Sequence, residues 1–525
     1  MPVGLRKQLL GLLADDLQPF DKWRDLASSP FSSFISYPKT NILKNMSKFE
    51  EDQLPSLLTF TAKEAIAYLQ ELDSLPVAAR LSLTELRAAL QKELNDDRIP
   101  AQKVLTELIA DTKGGLNNST GGRFFGWVIG GNLPASLAAD WMTSTWDQNA
   151  ALYAVSPAAA VVEETVGAWV KDLLHLPSDA SFAIVSGCQM AHVTALATAR
   201  HELLSRRGFD VEHEGLYNAP PIRILCNKFK HGSIDRAVRF LGMGSRHIQA
   251  IESNPETAQV LVEGLVKAFE EDPHTPTIVV LQAGDISTGS FDDYEALIPV
   301  AHRYNAWVHI DGAFGLWAAA SEKFSHLTKG LALADSWATD GHKWMNVAFD
   351  CGFLFTASPA SHRATVSHRA VYLTHVESAR DQIDWNPDWS RRSRGFAAYA
   401  AIRSLGRRGV AEMVEQCCDC CRLLVEGIAE VPGAEVVFRP LINQGMVRFL
   451  APDAQGQEDH DAFTELVIQE ICATGEAFFS PSVWAGRKVM RVSVCNYRTD
   501  VAEVQRVLRA VAETVRRLTE ARRGL

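Results

Sequence analysis

The stretch W-V-H-I-D-G-A at residues 307–313 and the stretch T-D-G-H-K-W-M at residues 339–345 decide the fold prediction. In the first, Asp311 follows the apolar run 306–310, so it stands where a buried strand would end. Ligands of open α/β sheets bind outside the carboxyl ends of the strands. The pattern therefore predicts a carboxylate that faces a ligand, although an aspartate in this position can also simply cap a helix or form a turn.

Lys343, in the second stretch, is the candidate for covalent chemistry. A lysine amine is protonated near neutral pH, but its pKa falls in a desolvated pocket, where it can form a Schiff base with an aldehyde. The aldehyde that this chemistry indicates is pyridoxal phosphate, whose pyridine nitrogen must stay protonated beside a carboxylate such as Asp311. The alternative for Lys343 is a solvated surface charge.

Three stretches carry a resemblance to a known family: H-I-D-G-A-F-G-L-W at 309–317, A-D-S-W at 334–337 and D-G-H-K-W-M-N at 340–346. They resemble the group II pyridoxal-phosphate-dependent amino acid decarboxylases, which include aromatic-L-amino-acid, histidine and glutamate decarboxylases. The resemblance extends from about Ala65 to the C terminus. It implies an aspartate aminotransferase-like α/β fold of type I and a homodimer. It also implies decarboxylation of an L-amino acid, with an aromatic one as an option, to the amine and CO2 through a Lys343 Schiff base.

Length and composition exclude several classes of protein. The 525 residues have a net charge of -11 and are 47% hydrophobic and 22% charged, as in a globular protein of two or three subdomains. No basic stretch offers a nucleic-acid site, and no apolar run approaches the roughly 20 residues that span a bilayer. Nine cysteines, an odd number, favour reduced thiols over a disulfide framework. We therefore expect a cytoplasmic protein with neither a nucleic-acid nor a membrane partner.

Three regions are expected along the chain. Residues 1–110 contain an N-terminal extension, in which 1–54 is either an ordered arm or a loose segment, and a helical segment with a capping box at Ser82 and Glu85. Residues 111–400 alternate strand-like runs with helical stretches, which predicts βαβ units and a mostly parallel central sheet flanked by helices. Residues 401–525 form a smaller α+β domain that begins with a long helix at about 400 and ends with a helix over Val501–Leu518.

The sequence I-V-S-G-C-Q-M-A-H at 184–192 is typical of a strand, a tight glycine turn and a helix start. A helix N terminus binds phosphate through its free N–H groups. The expected cup for the cofactor phosphate consists of Ser186, Gly187, Cys188 and Gln189. Glycine turns also follow strands where no ligand binds, and the resembled family more often has glycine and a hydroxyl residue at the last two positions.

The resemblance assigns further residues around the cofactor ring. His231, in K-F-K-H-G-S-I-D-R-A at 228–237, would stack on the ring and move protons at the substrate carbon; otherwise it is a turn residue at a capped helix start. His342 would contact phosphate or substrate, and Ala313 would leave room for the other face of the ring. With Lys343, Asp311 and the phosphate cup, these residues complete the expected cofactor site.

The substrate side of the site rests on the same resemblance. Tyr372, in V-Y-L-T-H-V at 371–376, matches the loop tyrosine that in aromatic amino acid decarboxylases protonates the substrate carbon after CO2 leaves. Related aldehyde synthases have phenylalanine there, so Tyr372 together with His231 favours simple decarboxylation, unless Tyr372 only packs on the surface. Arg491 is the candidate contact for the substrate carboxylate. Phe124, in the aromatic stretch 124–127, lines either a substrate pocket or the core.

Several positions depart from the family pattern. Gly121 and Gly122 stand where the family has His-Pro, and Ile286 replaces a threonine near the substrate. The departures at Cys188, Gln189 and Ile286 keep open a pyridoxal-phosphate-dependent aminotransferase or an oxidative-deaminating aldehyde synthase. A cofactor-free scaffold is the alternative without chemistry, and the presence of the aspartate, histidine and lysine disfavours it.

The sequence C-C-D-C-C at 417–421 raises the question of a metal site. Four cysteines on one helix cannot all converge on one ion, and the sequence lacks two separated C-x2-C pairs. Packing of small apolar side chains is the favoured interpretation, and no metal is expected.

Overall fold

The computed structural model describes residues 53–368, residue 376 and residues 378–524. The chain divides into two compact units, one of residues 1–68 with 95–106 and one of residues 69–94 with 107–525. All predicted site residues belong to the second unit. Within the described ranges, no helix combines the length and the apolar character needed to cross a membrane.

The helices and strands alternate through the middle of the chain and include the expected C-terminal elements. The helices are α1 Leu54–Glu71, α2 Leu83–Leu90, α3 Ala101–Thr112, α4 Pro134–Trp146, α5 Pro157–Leu173, α6 Cys188–Ser205, α7 Val211–Glu214, α8 Gly232–Phe240, α9 Val262–Glu271, α10 Tyr294–Arg303, α11 Pro359–Val366, α12 Gly395–Ala429, α13 Gln457–Thr474 and α14 Val501–Arg523. The strands are β1 Ser181–Val185, β2 Arg223–Asn227, β3 Ile248–Ile251, β4 Thr277–Gln282, β5 Trp307–Asp311, β6 Ser336–Asp340, β7 Gly352–Thr356, β8 Ala434–Phe438, β9 Gln444–Phe449, β10 Ser480–Trp484 and β11 Arg487–Ser493. The capping box of α2 is present as predicted.

The large sheet has seven strands in the order β1-β7-β6-β5-β4-β2-β3. The strands β2 to β6 pair in parallel, so the prediction of a mostly parallel sheet is confirmed. The strand β7 runs antiparallel to both β1 and β6, so the parallel part of the sheet ends at β6. Residues 341–351 alone connect β6 to β7, whereas a parallel crossover needs a dozen or more residues. The edge strand β3 was not predicted because its two central residues are exposed and leave no apolar run.

The C-terminal part contains an antiparallel sheet of four strands in the order β10-β11-β9-β8. The predicted long helix is α12, whose backbone leaves helical geometry at Gly406 with φ 60° and ψ 179°, a conformation that glycine adopts without a Cβ clash. The four cysteines of 417–421 pack in the hydrophobic core at 0–4% exposure, which agrees with the packing interpretation. The last helix continues beyond the predicted end at Leu518 to Arg523.

Fully buried tryptophans support the loop between β6 and β7. The indole N–H groups of Trp317 and Trp337 donate to the carbonyl oxygens of Asp340 and Leu331 at 3.1 and 2.9 Å, which satisfies the polar atom that a buried indole brings with it. Trp344, in the loop itself, is also fully buried. Burial of a large apolar side chain stabilises a fold by about 1.5–3 kcal/mol, so this loop lies on a well-packed base.

Candidate active site

Lys343 lies in the tight connection between β6 and β7. The N–H groups of Gly341 and His342 both donate to the carbonyl oxygen of Cys351, at 2.9 and 3.2 Å, and Asn346 N–H donates to the carbonyl oxygen of Lys343 at 3.0 Å. Asn346 adopts a left-handed backbone with φ 55°, which asparagine tolerates better than most residues. These bonds fix the direction in which Lys343 leaves the sheet edge.

The charge state of Lys343 differs from the sequence-based expectation. Burial lowers the pKa of its amine, but the neighbouring Asp340, followed by Cys188 and Asp311, raises it by more, so the net pKa lies above the ordinary value. The closest of these groups is Asp340, whose Oδ2 lies 3.2 Å from Lys343 Nζ. Without cofactor the lysine is therefore an ammonium held by an ion pair, and the expected lowering of its pKa is wrong because Asp340 was not considered.

Asp311 ends β5, as predicted, and is 4% exposed. Burial raises the pKa of its carboxyl, but the neighbouring His192, followed by His231 and Lys343, outweighs burial, so the pKa lies below the ordinary value. The N–H of Ala313 donates to Asp311 Oδ1 at 3.3 Å. Asp311 is thus a buried carboxylate that stays ionised, which is what a protonated pyridine nitrogen requires as its partner.

The four residues of the predicted phosphate cup lie at the N terminus of α6. The N-cap residue is Gly187, which provides no side-chain cap; instead, Cys188 N–H donates to Asp340 Oδ1 at 2.6 Å. A Cβ on Gly187 would stand 2.9 Å from His342 Cε1, so only glycine lets the cup approach the lysine loop. Gln189 Nε2 donates to the carbonyl oxygen of Ser233 at 3.2 Å, which links the cup to the His231 segment.

His231 and His342 flank the site from different segments. His231 is the N-cap residue of α8, where its ring accepts from Ser233 N–H at 3.2 Å. The interpretation of His231 as a residue at a capped helix start is therefore correct, and its role at the cofactor ring stays a prediction. The His231 side chain is partly open to solvent. Partial desolvation lowers the pKa of its ring, the charge of Asp311 raises it and the charge of Lys343 lowers it, and the net pKa lies below the ordinary value. His342 stacks on Phe349 at 4.3 Å between ring centroids, and burial lowers its pKa also.

Arg491, on β11, is a buried cation with spare hydrogen-bonding capacity. It is 6% exposed, and its Nε has no hydrogen-bond partner among the described residues. Burial lowers the pKa of its guanidinium in spite of the opposing charge of Asp285. Asp285 is itself buried, with an unpartnered Oδ2. A buried guanidinium of this kind is costly unless it receives an anion.

The aromatic stretch near residue 124 packs on Phe478 in the C-terminal part of the chain. Phe124 is 2% exposed and stacks on Phe478 at 4.7 Å, whereas Trp127 is 50% exposed and stacks on Phe478 at 5.4 Å. The exposed aromatic surface therefore belongs to Trp127. A Cβ on Gly122 would stand 2.6 Å from the carbonyl oxygen of Arg498, which gives a packing reason for glycine where the family has His-Pro. Tyr372 lies outside the described residues.

Sequence reasoning missed Asp340 and His192. Asp340 is three residues before Lys343 and bonds to both the lysine and the cup. His192 is four residues after Cys188 and so shares a face of α6 with it, a spacing that could have drawn attention to it. Ligating atoms of Cys188, His192 and Asp311 lie within 4.8 Å of one another, but the predicted absence of a metal stays a prediction.

A family model described as the pyridoxal-dependent decarboxylase conserved domain matches residues 84–451, well over half of the chain. The chain belongs to this family. An aromatic-L-amino-acid decarboxylase from Bacillus atrophaeus is 24% identical over 460 residues, which are 86% of this chain and 93% of the relative. A phenylacetaldehyde synthase from a Rosa hybrid cultivar is 24% identical over 450 residues, 81% of this chain and 87% of the relative.

A solved structure also matches nearly the whole fold of the decarboxylase. The crystal structure of Oryza sativa TDC with PLP and tryptamine has a TM-score of 0.84 at 22% identity and covers 90% of this chain and 99% of that one. The predicted type I fold is confirmed. At the level of the family, the chain is a pyridoxal-phosphate-dependent amino acid decarboxylase with pyridoxal phosphate as its cofactor.

Proposed function

We propose that this decarboxylase converts an aromatic L-amino acid to its amine and CO2, with Lys343 as the covalent anchor of the cofactor. The observation that carries the proposal is the meeting of three features at one sheet edge: the amine of Lys343, the ionised carboxylate of Asp311 and the N terminus of α6, whose N-cap residue Gly187 has no side chain to cap it. Each binds a different part of pyridoxal phosphate, so the donor set fits that group.

Pyridoxal phosphate, when bound, supplies an aldehyde for the amine and a ring that accepts the electron pair of the breaking bond. Asp311 would hold the proton on the pyridine nitrogen, and the N–H groups of Gly187, Cys188 and Gln189 would bind the phosphate, with Ser186 beside them. Ala313 leaves space beside Asp311. His342 lies against the cup, 3.6 Å from Asp340, where it can donate to a phosphate oxygen.

Arg491, His231 and Tyr372 would act on the substrate. Arg491 is a buried guanidinium whose Nε lacks a hydrogen-bond partner among the described residues, and a substrate carboxylate would supply one. His231 has a pKa below its ordinary value, chiefly because desolvation disfavours its charged form, which favours a role as a group that accepts or relays a proton. Tyr372 is proposed as the proton donor to the substrate carbon.

An aromatic substrate is favoured by the stack of Phe124, Phe478 and Trp127. Trp127 presents half of its surface and adopts φ 50°, a strained conformation that clusters at functional sites. Gly130, three residues later, packs directly on the carbonyl oxygen of Lys343, so this stretch borders the lysine. The name of the relative from Bacillus atrophaeus points to the same substrate class.

The experiment incubates the purified holoprotein with a panel of aromatic and acidic L-amino acids and measures CO2, amine, aldehyde and peroxide. Equal amounts of CO2 and amine from an aromatic substrate are expected, and none from Lys343→Ala. Formation of aldehyde together with peroxide would instead support the oxidative-deaminating activity. A phenylacetaldehyde synthase among the relatives makes this the second candidate function. Turnover of acidic substrates alone would overturn the aromatic assignment.

The role of Arg491 has its own test. Loss of a hydrogen bond to a charged group costs about 1.5–3 kcal/mol, so Arg491→Met should lower kcat/KM by about 10- to 100-fold, mainly through KM. Arg487, on the same strand and half-buried, provides the control, because Arg487→Met should leave kcat/KM unchanged. Equal effects of the two substitutions would contradict the assignment.

We also propose a homodimer, a cytoplasmic location and the three-region division at residues 110 and 400. The homodimer is supported by α1, α2 and α3, which have no buried residue and carry exposed apolar side chains such as Leu58 and Leu83, since such patches mark interfaces. The location is supported by nine unpaired cysteines, as in reducing compartments. Light scattering on a sizing column should give twice the 57.8 kDa chain mass; a monomer would contradict the dimer.

A further inference from the structure

We propose that His192, His309 and Ser336 form a buried hydrogen-bond relay that orients Asp311 and keeps it ionised, so that they act as positioning residues for the cofactor's pyridine nitrogen. This inference rests on the proposed role of Asp311. The relay was not among the features singled out in the sequence, although His192 and His309 both fall within quoted stretches.

The sheet register brings the relay together. His309 is two residues before Asp311 on β5, and alternate residues of a strand share a face. Ser336, on β6, is the registered partner of His309. The helix α6 covers this face and contributes His192 from its second turn. The three residues therefore meet because of strand alternation, strand pairing and helix spacing, and all three have 0% exposure.

The contacts form one unbranched chain from the core to the cofactor site. Trp307 Nε1 donates to Ser336 Oγ at 2.9 Å, and Ser336 Oγ lies 2.9 Å from His309 Nδ1. His309 Nε2 lies 2.9 Å from His192 Nδ1, and His192 Nε2 lies 3.5 Å from Asp311 Oδ1. His192 Nε2 has no hydrogen-bond partner among the described residues, so its open position faces the Asp311 carboxylate.

The direction of the hydrogen bonds follows from the ionised carboxylate of Asp311, which can only accept. In the relay His192 therefore directs its Nε2 proton toward Asp311 and accepts at Nδ1 from His309 Nε2. His309 Nδ1 then accepts from the Ser336 hydroxyl, which itself accepts from the indole N–H of Trp307. Every donor in the chain thus points toward the carboxylate.

Burial of these polar side chains costs free energy, and packing alone gives no reason for it. Burying polar side chains is unfavourable compared with apolar ones of similar size, and His309 and Ser336 on the sheet and His192 on the helix that covers it are all fully buried. Burial, followed by the proximity of His192, lowers the pKa of His309 to about 3. His309 is therefore neutral and passes on a hydrogen-bond direction without adding a charge.

The experiment uses holoenzyme loaded with pyridoxal phosphate that carries 15N at the ring nitrogen, because the 15N chemical shift reports whether that nitrogen is protonated. The variants are His192→Phe, His192→Gln and Ser336→Ala. In His192→Phe we expect the signal to move from the protonated toward the unprotonated position, with kcat lowered about 10- to 100-fold and KM little changed. The Gln amide can replace Nε2 as a donor, so His192→Gln should recover most of the signal, and Ser336→Ala should show a smaller shift in the same direction.

A second buried Ser–His pair provides matched controls. Ser181 Oγ lies 2.9 Å from His362 Nδ1, and His362 Nε2 lies 2.8 Å from the carbonyl oxygen of Trp385, so this pair ends away from Asp311. His362→Phe and Ser181→Ala should lower Tm as much as the relay variants do but leave the 15N signal and kcat unchanged. Equal 15N shifts in both sets would overturn the relay.

The variant Asp311→Asn distinguishes a failure of the relay from a failure of the proposed role of Asp311. If this variant loses the protonated signal while His192→Phe keeps it, the relay is refuted and the role of Asp311 stands. If the wild-type nitrogen is unprotonated, or if Asp311→Asn changes nothing, the proposed role of Asp311 fails first, and the relay fails with it. Loss of the signal in both variants, with recovery in His192→Gln, supports both.

Discussion

Gly130→Ala should inactivate the decarboxylase by displacing Lys343. A Cβ at this position would stand 1.8 Å from the carbonyl oxygen of Lys343 and 2.8 Å from its carbonyl carbon, whereas ordinary contact begins at 3.4 Å. The two backbones must therefore separate by about 1.6 Å. A displacement of about 1 Å at a reacting group can cost about 100-fold in rate.

The displacement strains the lysine loop because the two segments are tied to each other. The neighbouring Gly131 N–H donates to Asn346 Oδ1 at 2.6 Å, and Asn346 Nδ2 donates to the carbonyl oxygen of Cys495 at 2.9 Å. These bonds join residues 130–131 and the lysine loop to the C-terminal part of the chain. Overpacking in a well-packed region costs about 1–3 kcal/mol, which lowers Tm by only a few degrees in a chain of this size, so the variant should stay folded.

The assay measures kcat by CO2 release, cofactor loading by absorbance and Tm by calorimetry. Gly130→Ala should lower kcat at least about 100-fold while Tm changes by a few degrees. Gly456→Ala is the control, because a Cβ there meets no heavy atom within 4 Å, and it should match the wild type in all three measurements. A Gly130→Ala enzyme with kcat within about threefold of the wild type would refute the claim that this contact positions the lysine.

Glu163→Gln should lower the free energy of unfolding in urea by about 3–5 kcal/mol, because it leaves the buried guanidinium of Arg391 without its anionic partner. Both side chains of this ion pair are at most 2% exposed. The exposed ion pair of Asp172 with Arg407 is the control, and Asp172→Asn should leave the free energy of unfolding nearly unchanged. Equal losses of stability in the two variants would contradict the prediction for Glu163. The rate at which apo-protein takes up pyridoxal phosphate should rise about tenfold for each unit by which the pH increases, as long as the pH stays below the raised pKa of Lys343. The reason is that only the neutral amine is a nucleophile. Asp340→Asn removes the charge that raises this pKa and should accelerate loading at pH 7; an unchanged rate would rule out the ion pair as the barrier.

The residues that follow a single buried strand were predictable from sequence. Asp311 and Lys343 were singled out because an apolar run ends just before one of them and the other lies just beyond a second run, and the carboxyl ends of parallel strands meet at one edge of the sheet. The glycine turn after β1 singled out the N terminus of α6 in the same way, and its role as a phosphate cup stays a prediction. In each case the information is local: a periodic pattern, a turn residue and the chemistry of one side chain.

What the sequence did not reveal depends on contacts between distant segments. The antiparallel direction of β7 follows from the length of the lysine loop, which becomes readable only once both strand boundaries are known. The pairing of Asp340 with the cup joins residues 152 positions apart. The meeting of His192 with His309 joins residues 117 positions apart, and neither has a periodicity that points to the other.

Asp340 explains why the pKa of Lys343 differs from the sequence-based expectation, while the covalent role of the lysine stays a prediction. Its carboxylate accepts from the first N–H of α6 and pairs with Lys343, so it occupies the end of a helix where an anion is most stable. A cofactor phosphate bound at that helix end, as proposed, would share its N–H groups with Asp340. Binding of the phosphate would then weaken the hold of Asp340 on the cup at the same step at which Lys343 loses its proton, and one buried carboxylate would couple the two events.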